Sequence, residues 1–247
     1  LYDADLVDSP ICLRCNQAPE TELHRLWQCS ENLKLDSPDV KATEHLAASA
    51  VKGCEKYACY VLRGLVPLPW IQELPAPVSS FTFDSIHIQE PRPHLPTTLY
   101  TDGSGGPQGR DRRLRRCGWG AVYVQCDRSQ LEGPHILGAV FGPLPGPQTV
   151  PRSEGFAIGA GMGCAPGPVA AIASDSLLMV RQLCKPCSQW PDARANSDLL
   201  YDLAEQFAAH RIQHQSTPEV YKVAAHQDHQ DVVAARIDPV DFLGNSL

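Results

Sequence analysis

No run of about 18 apolar residues occurs in this 247-residue chain, which excludes a helical membrane span on the usual length argument. The start lacks both an initiating Met and the apolar segment of a secretory signal. Leu1 to Pro10 carries three aspartates instead. The chain therefore reads as a piece of something longer, working inside the cell in the nucleus or cytoplasm. No internal repeat is present. Basic residues are scarce, 21 Lys and Arg against 28 Asp and Glu, and the net charge of −7 argues against a surface that is broadly attractive to nucleic acid. The scarcity is uneven, however. Arg110, Arg112, Arg113, Arg115 and Arg116 lie within seven residues, readable as a solvated loop or as a local phosphate-binding patch.

What is present supports a globular interior. The hydrophobic fraction is 43%, ordinary for a packed domain. Ten cysteines are too diffuse over this length for a secreted disulfide scaffold. Three of them crowd into the first 29 residues beside a histidine. Cys12, Cys15, His24 and Cys29 form the pattern C-x2-C-x8-H-x4-C. Two cysteines on a knuckle and a His/Cys pair that closes it suit one structural Zn²⁺ in tetrahedral geometry. No coordination position is left for water, so this site is expected to be structural. Cys184 and Cys187 also have C-x-x-C spacing but lack a second ligand pair, and are read as incidental.

The chain divides by texture. Residues 1–30 hold the Cys/His cluster. Residues 31–66 read as helical, with Ser37 and Pro38 as an N-cap and first-turn pair. Residues 67–97 contain Pro67, Pro69, Pro75, Pro77, Pro91, Pro93 and Pro96, a density that forbids a long helix or a central strand. This stretch is expected to be a partly extended linker, with Phe81, Phe83 and Ile86 docking on a neighbour. Residues 98–247 alternate strands and helices. Strands are expected at Thr98–Thr101, Gly118–Gln125, His135–Phe141, Val169–Ala173 and Glu219–Ala225. Helices are expected at Ser153–Cys164, Ser176–Cys184 and Asn196–Arg211, the last with Leu199, Leu200, Leu203, Phe207 and Ala208 on one face. His210 and His214 are expected at surface positions. Trp70 and Trp119 are expected to pack.

Three acids fall where this order would gather them. Asp102 is expected to end the first strand, Glu154 to lie in the first turn of the first helix, and Asp175 to follow the fourth strand. Alone, each has an ordinary explanation: Asp102 opens a turn, Glu154 suits a helix dipole, and Asp175 caps a helix. Together they make a self-repelling cluster that a cation would neutralise. Oxygen ligands without His or Cys suit Mg²⁺ or Mn²⁺, and two such ions would serve phosphodiester cleavage.

The segments Leu99-Tyr100-Thr101-Asp102-Gly103-Ser104, Arg152-Ser153-Glu154 and Ser174-Asp175-Ser176 resemble the three acidic motifs of type 1 ribonuclease H domains. Val223-Ala224-Ala225-His226 is similar to that family's Val-x-x-His element. The resemblance implies an α/β fold, a five-stranded mixed sheet flanked by helices. It also implies a two-metal hydrolase acting on the RNA strand of RNA–DNA hybrids, with His226 assisting proton transfer or product release. Gly244-Asn245 is similar to the start of the family's fourth motif, whose Asp would lie beyond Leu247; Asp228, Asp231, Asp238 and Asp241 are the acids at hand to replace it. The Cys/His stretch, with Leu26-Trp27, resembles the zinc knuckle that follows the polymerase in non-LTR retrotransposon reverse transcriptases, although no Tyr-x-Asp-Asp polymerase motif is present. The competing readings are a catalytically degenerate nucleic-acid-binding fragment of a retroelement polyprotein and a fold used only for protein contacts. Oligomeric state is not legible from the sequence.

Overall fold

The computed structural model describes residues 9–126, 133–186, 189–190, 196–225, 238, 240–241 and 244. The chain forms two compact units, Leu1–Leu74 and Pro75–Leu247. No helix among the described residues is long and apolar enough to cross a membrane.

In the first unit the chain turns tightly after Cys12. Ile11 bridges Pro19, the Asn16 N–H donates to the Cys12 carbonyl, and Asn16 takes a left-handed conformation (φ 57°) that Asn tolerates better than most residues. Short helical turns at His24–Gln28 and Ser30–Lys34 follow. Helix α1 (Pro38–Thr43) starts as expected, with Ser37 at the N-cap position and Pro38 in the first turn, although the serine hydroxyl makes no capping bond. Helix α2 (Ala47–Arg63) is kinked at Tyr57 and closed by Gly64, whose φ of 64° favours glycine. Helix α3 (Leu68–Gln72) carries Trp70, which packs edge-on against Tyr57 and Tyr60. The Trp27 indole donates to the Val61 carbonyl and ties the Cys/His stretch to α2. Among the described residues, the buried apolar side chains of this unit are Cys12, Cys29 and Ala50 alone. So small a core calls for another source of cohesion.

The second unit is α/β, with a mixed sheet flanked by helices. Its strands are β1 (Asp84–Ile86), β2 (Thr97–Ser104), β3 (Gly118–Gln125), β4 (His135–Pro143), β5 (Val169–Ser174) and β6 (Glu219–Lys222), in spatial order β1-β4-β3-β2-β5-β6. The antiparallel β2–β3–β4 meander is as expected, and β5 and β6 continue the sheet in parallel. A sixth strand, β1, joins from the proline-rich segment. It is three residues long and at the edge, where prolines before and after it cost no ladder bonds. Phe81 stacks on Phe83 and Trp119 and touches Phe156, which is the docking expected of that segment.

Side-chain alternation splits the sheet into two faces. Leu99, Trp119, Ala121, Tyr123 and Ile172 point to one face. There they pack under α4 (Val150–Gly163), α5 (Leu177–Leu183) and α6 (Ser197–His214) through Ala157, Ile158, Met179, Leu199, Leu203 and Phe207. Tyr100, Val122, Val124 and Ala173 point to the other face, joined by Val223, Tyr221 and Val240. His210 is buried, not at the surface as expected. Its Nε2 accepts from the Val169 N–H at 3.0 Å and its Nδ1 lies 3.1 Å from the Ser216 carbonyl, so a neutral ring satisfies both groups.

Candidate functional site

The centre of the second unit is built where β2 and β5 run side by side. Thr101 pairs with Ser174 in the last rung, so Asp102, still within β2, and Asp175, just past the end of β5, follow directly after it. Asp102 lies within the strand, because β2 continues to Ser104 instead of ending at Asp102. Helix α4 begins at Val150, earlier than expected, because Pro151 fits its first turn, where an N–H would be unsatisfied anyway. Glu154 consequently sits one turn into the helix, over Gly103. A Cβ at Gly103 would collide with the Glu154 backbone nitrogen and with Ser153, so only glycine lets α4 approach this closely.

One carboxylate oxygen each from Asp102, Glu154 and Asp175 falls within 4.8 Å of the others. Asp102 is exposed, Asp175 half-buried and Glu154 buried. Burial pushes the Glu154 carboxyl up to about 8, with further upward pressure from Asp102 and then Asp175, against a smaller pull from the Gly103 N–H. Glu154 Oε2 is buried with no hydrogen-bond partner. An orphaned buried oxygen beside two further carboxylates, in a cluster that includes no His or Cys among the described residues, fits a hard divalent cation. Asp102 also lines a cleft of about 670 Å³ on the face opposite α4, together with Tyr100, Ser104, Gly120 and Phe141.

Arg152, two residues before Glu154, makes two hydrogen bonds to Asp198 at 2.9 and 2.6 Å and so fixes the start of α6 to the start of α4. That partnership holds the Asp198 carboxyl below its usual range.

The remaining acids divide. Asp241 accepts from the hydroxyls of Tyr100 at 2.7 Å and Tyr221 at 3.1 Å, and Asp238 accepts from the Val240 N–H. Neither belongs to the carboxylate cluster among the described residues. Burial, followed by the Tyr221 and Asp241 contacts, pushes the Tyr100 phenol well above its usual range. His226, Asp228, Asp231 and Asn245 lie outside the described residues. The Tyr100–Tyr221–Asp241 network escaped the sequence reading because nothing local links positions so far apart. Gly103 escaped as well: Asp-Gly reads as a turn, and the only hint to the contrary was the β-type run before it.

In the first unit Cys12, Cys15, His24 and Cys29 bring one ligand atom each within 4.8 Å of one another. Cys12 Sγ is 3.9 Å from Cys29 Sγ, and Cys15 Sγ is 3.3 Å from His24 Nε2. Tetrahedral Zn²⁺ with bonds of about 2.3 Å to sulfur and 2.0 Å to nitrogen puts such pairs about 3.5–3.8 Å apart. The donor set and the spacing fit. Backbone N–H groups, that of Cys15 foremost and then that of Arg14, hold the Cys12 thiol down at about 6, favouring the thiolate that a metal needs.

No known family's sequence profile matches the chain, and no curated protein matches it. Solved structures do. Prototype foamy virus protease-reverse transcriptase, in its selenomethionine-labelled CSH mutant, is 18% identical over 64% of this chain, with a TM-score of 0.42. LC9-RNase H1, a type 1 RNase H with the type 2 active-site motif, is 16% identical over 60% of this chain and 71% of its own, with a TM-score of 0.42. The RNase H domain of PFV is 17% identical over 62% of this chain and 95% of its own, with a TM-score of 0.37. The chain spans 22% of the foamy virus protease-reverse transcriptase.

Proposed function

We propose that this chain is a metal-dependent endonuclease that hydrolyses the RNA strand of RNA–DNA hybrids, of retrotransposon origin. In this reading residues 1–30 are a zinc-knuckle segment, 31–66 a helical segment, 67–97 a linker and 98–247 a type 1 ribonuclease H domain. The observation that carries it is the gathering of Asp102, Glu154 and Asp175 around an orphaned carboxylate oxygen, in the order and motif context read from the sequence.

Bound Mg²⁺ or Mn²⁺, two ions together, would supply an activated water and stabilise the attacking and leaving oxygens. Asp102, the exposed member, and Asp175 would together hold a cation. Glu154, the buried member, would add the third carboxylate and would have to lose its proton to serve as a ligand. Arg152 holds the helix start that carries Glu154. His226 is the proposed aid to proton transfer or product release. A structural Zn²⁺ on Cys12, Cys15, His24 and Cys29 would stabilise the first unit without catalysis, since four protein ligands leave no place for water.

A second reading, a degenerate fragment that binds nucleic acid without cutting it, draws on one observation: neither Asp238 nor Asp241 joins the cluster. One experiment separates the two. A 5′-labelled RNA paired to DNA is incubated with the chain and Mg²⁺ or Mn²⁺, with single-stranded RNA and duplex DNA as controls. Cleavage confined to the hybrid and lost in Asp102→Asn supports the nuclease. Binding without any metal-dependent cleavage supports the degenerate reading.

A further inference from the structure

Five of the chain's 21 basic residues stand in the loop between β2 and β3, against one acid, Asp111. A loop of arginines with no other purpose would be solvated and irregular, but this one is built. Leu114 and Cys117 are buried beneath it. Backbone bonds from Gly109 to Gly106, Asp111 to Gln108 and Leu114 to Asp111 fold it on itself. Gly106 adopts a φ of 71° and passes so close to the Arg116 carbonyl that a Cβ would not fit.

The arginines have divided roles. Arg115 donates its Nε–H to the Gly109 carbonyl, and Arg116 donates its own to the Pro75 carbonyl, so both brace the loop. Arg113 pairs with Asp111. Arg110 and Arg112 are exposed and make no ion pair among the described residues. The scaffold thus presents two uncommitted guanidinium groups.

The loop is tied to β2 and α4, two of the three segments that carry the carboxylates. The Gly106 N–H donates to Ser104 Oγ at the end of β2. The Cys117 N–H donates to Gln148 Oε1, two residues before α4. Gly105 lies against Val150, the first residue of α4, with no more than a Cβ's space between them. Gly105 is three residues from Asp102, on the order of 10 Å at strand rise.

We propose that Arg110 and Arg112 grip the phosphate backbone of the nucleic acid held at the carboxylate site. This rests on the nuclease reading for the identity of the duplex but not for the contact itself. A chain of net charge −7 repels a polyanion in general. Two guanidinium groups carried on a braced loop, itself tied to β2 and to the approach to α4, overcome that repulsion locally. The specificity is for backbone, not bases.

The test is anisotropy of a fluorescent RNA–DNA hybrid with the full zinc-loaded chain, in buffer without Mg²⁺ or Mn²⁺, over a KCl series. Arg110→Gln/Arg112→Gln should weaken binding about tenfold or more at low salt. It should also flatten the slope of log K against log[salt] by about two. Arg110→Lys/Arg112→Lys should keep the slope. Lys52→Gln/Lys56→Gln, which removes the same charge from exposed positions elsewhere, should leave binding unchanged. The inference is overturned if the Gln pair binds like the wild type, if the lysine control loses as much, or if the wild type binds no hybrid at all. Binding that depends on the arginine pair, without Mg²⁺-dependent cleavage, supports the grip and rejects the nuclease.

Discussion

Gly103 lies directly under the backbone nitrogen of Glu154, and no side-chain atom fits between them. The strand that carries Asp102 and the helix that carries Glu154 therefore touch backbone to backbone beside the acidic centre. Gly103→Ala should force them apart. Overpacking costs about 1–3 kcal/mol, and here the obstacle is backbone, which cannot rotate away, so the upper part of that range is expected. Chemical denaturation should show the loss, and metal-dependent activity should fall further than stability alone explains. A variant as stable as the wild type would mean that α4 shifts freely.

Asp102→Asn should abolish Mg²⁺-dependent hybrid cleavage while leaving the second unit folded. Above about pH 8, where Glu154 is ionised, the metal-free protein should be at least as stable as the wild type, because one like charge beside Glu154 disappears. Cleavage at the wild-type rate would remove Asp102 from the mechanism.

Glu154 should make the metal-free protein less stable as pH rises. Its folded value of about 8 lies above the ordinary 4.5. Between those values the unfolded chain has released the proton and the folded chain has kept it, so stability is full below about pH 4.5 and declines until about pH 8. The total is on the order of a few kcal/mol. Thermal melts without divalent cations from pH 5 to 9 should show the slope, and Glu154→Gln should flatten it. Mg²⁺ affinity should rise over the same window with proton release, measurable by calorimetry in buffers of different ionisation enthalpy.

The first unit should hold about one Zn²⁺ per chain. Cys15→Ala should release it and loosen residues 1–30, as amide exchange would report, while the second unit keeps its own unfolding transition. Elemental analysis that finds no zinc in protein purified without chelator would sink the assignment.

Much of this was legible in the sequence, for identifiable reasons. The strand at Gly118–Gln125 was read to the residue because β-formers there run between clear breaks. The buried face of α6 follows the spacing of Leu199, Leu203 and Phe207. The two ligand clusters were legible because their chemistry demands particular residue types. What was not legible depended on distant partners. His210 reads as a surface residue until β5 presents the Val169 N–H to it. Residues 84–86 read as linker because a three-residue edge strand is specified by its neighbour β4 more than by itself. Asp241 reads as one of the acids at hand to replace the fourth carboxylate until Tyr100 and Tyr221 close on it.

The parallel pairing of β2 with β5 has a consequence in time. Asp102 and Asp175 come from strands joined by a long crossover that includes β3, β4 and α4, and they become neighbours only when that loop closes in register. Loop closure over such a separation is slow compared with the formation of a helix or hairpin. A slip of one residue would also turn one of the two side chains to the wrong face. A chain still emerging from the ribosome, with its meander already formed, thus carries Asp102 without Glu154 or Asp175 beside it. The three-carboxylate cluster is thus assembled late and as a single event, after the meander and the helix that follows it.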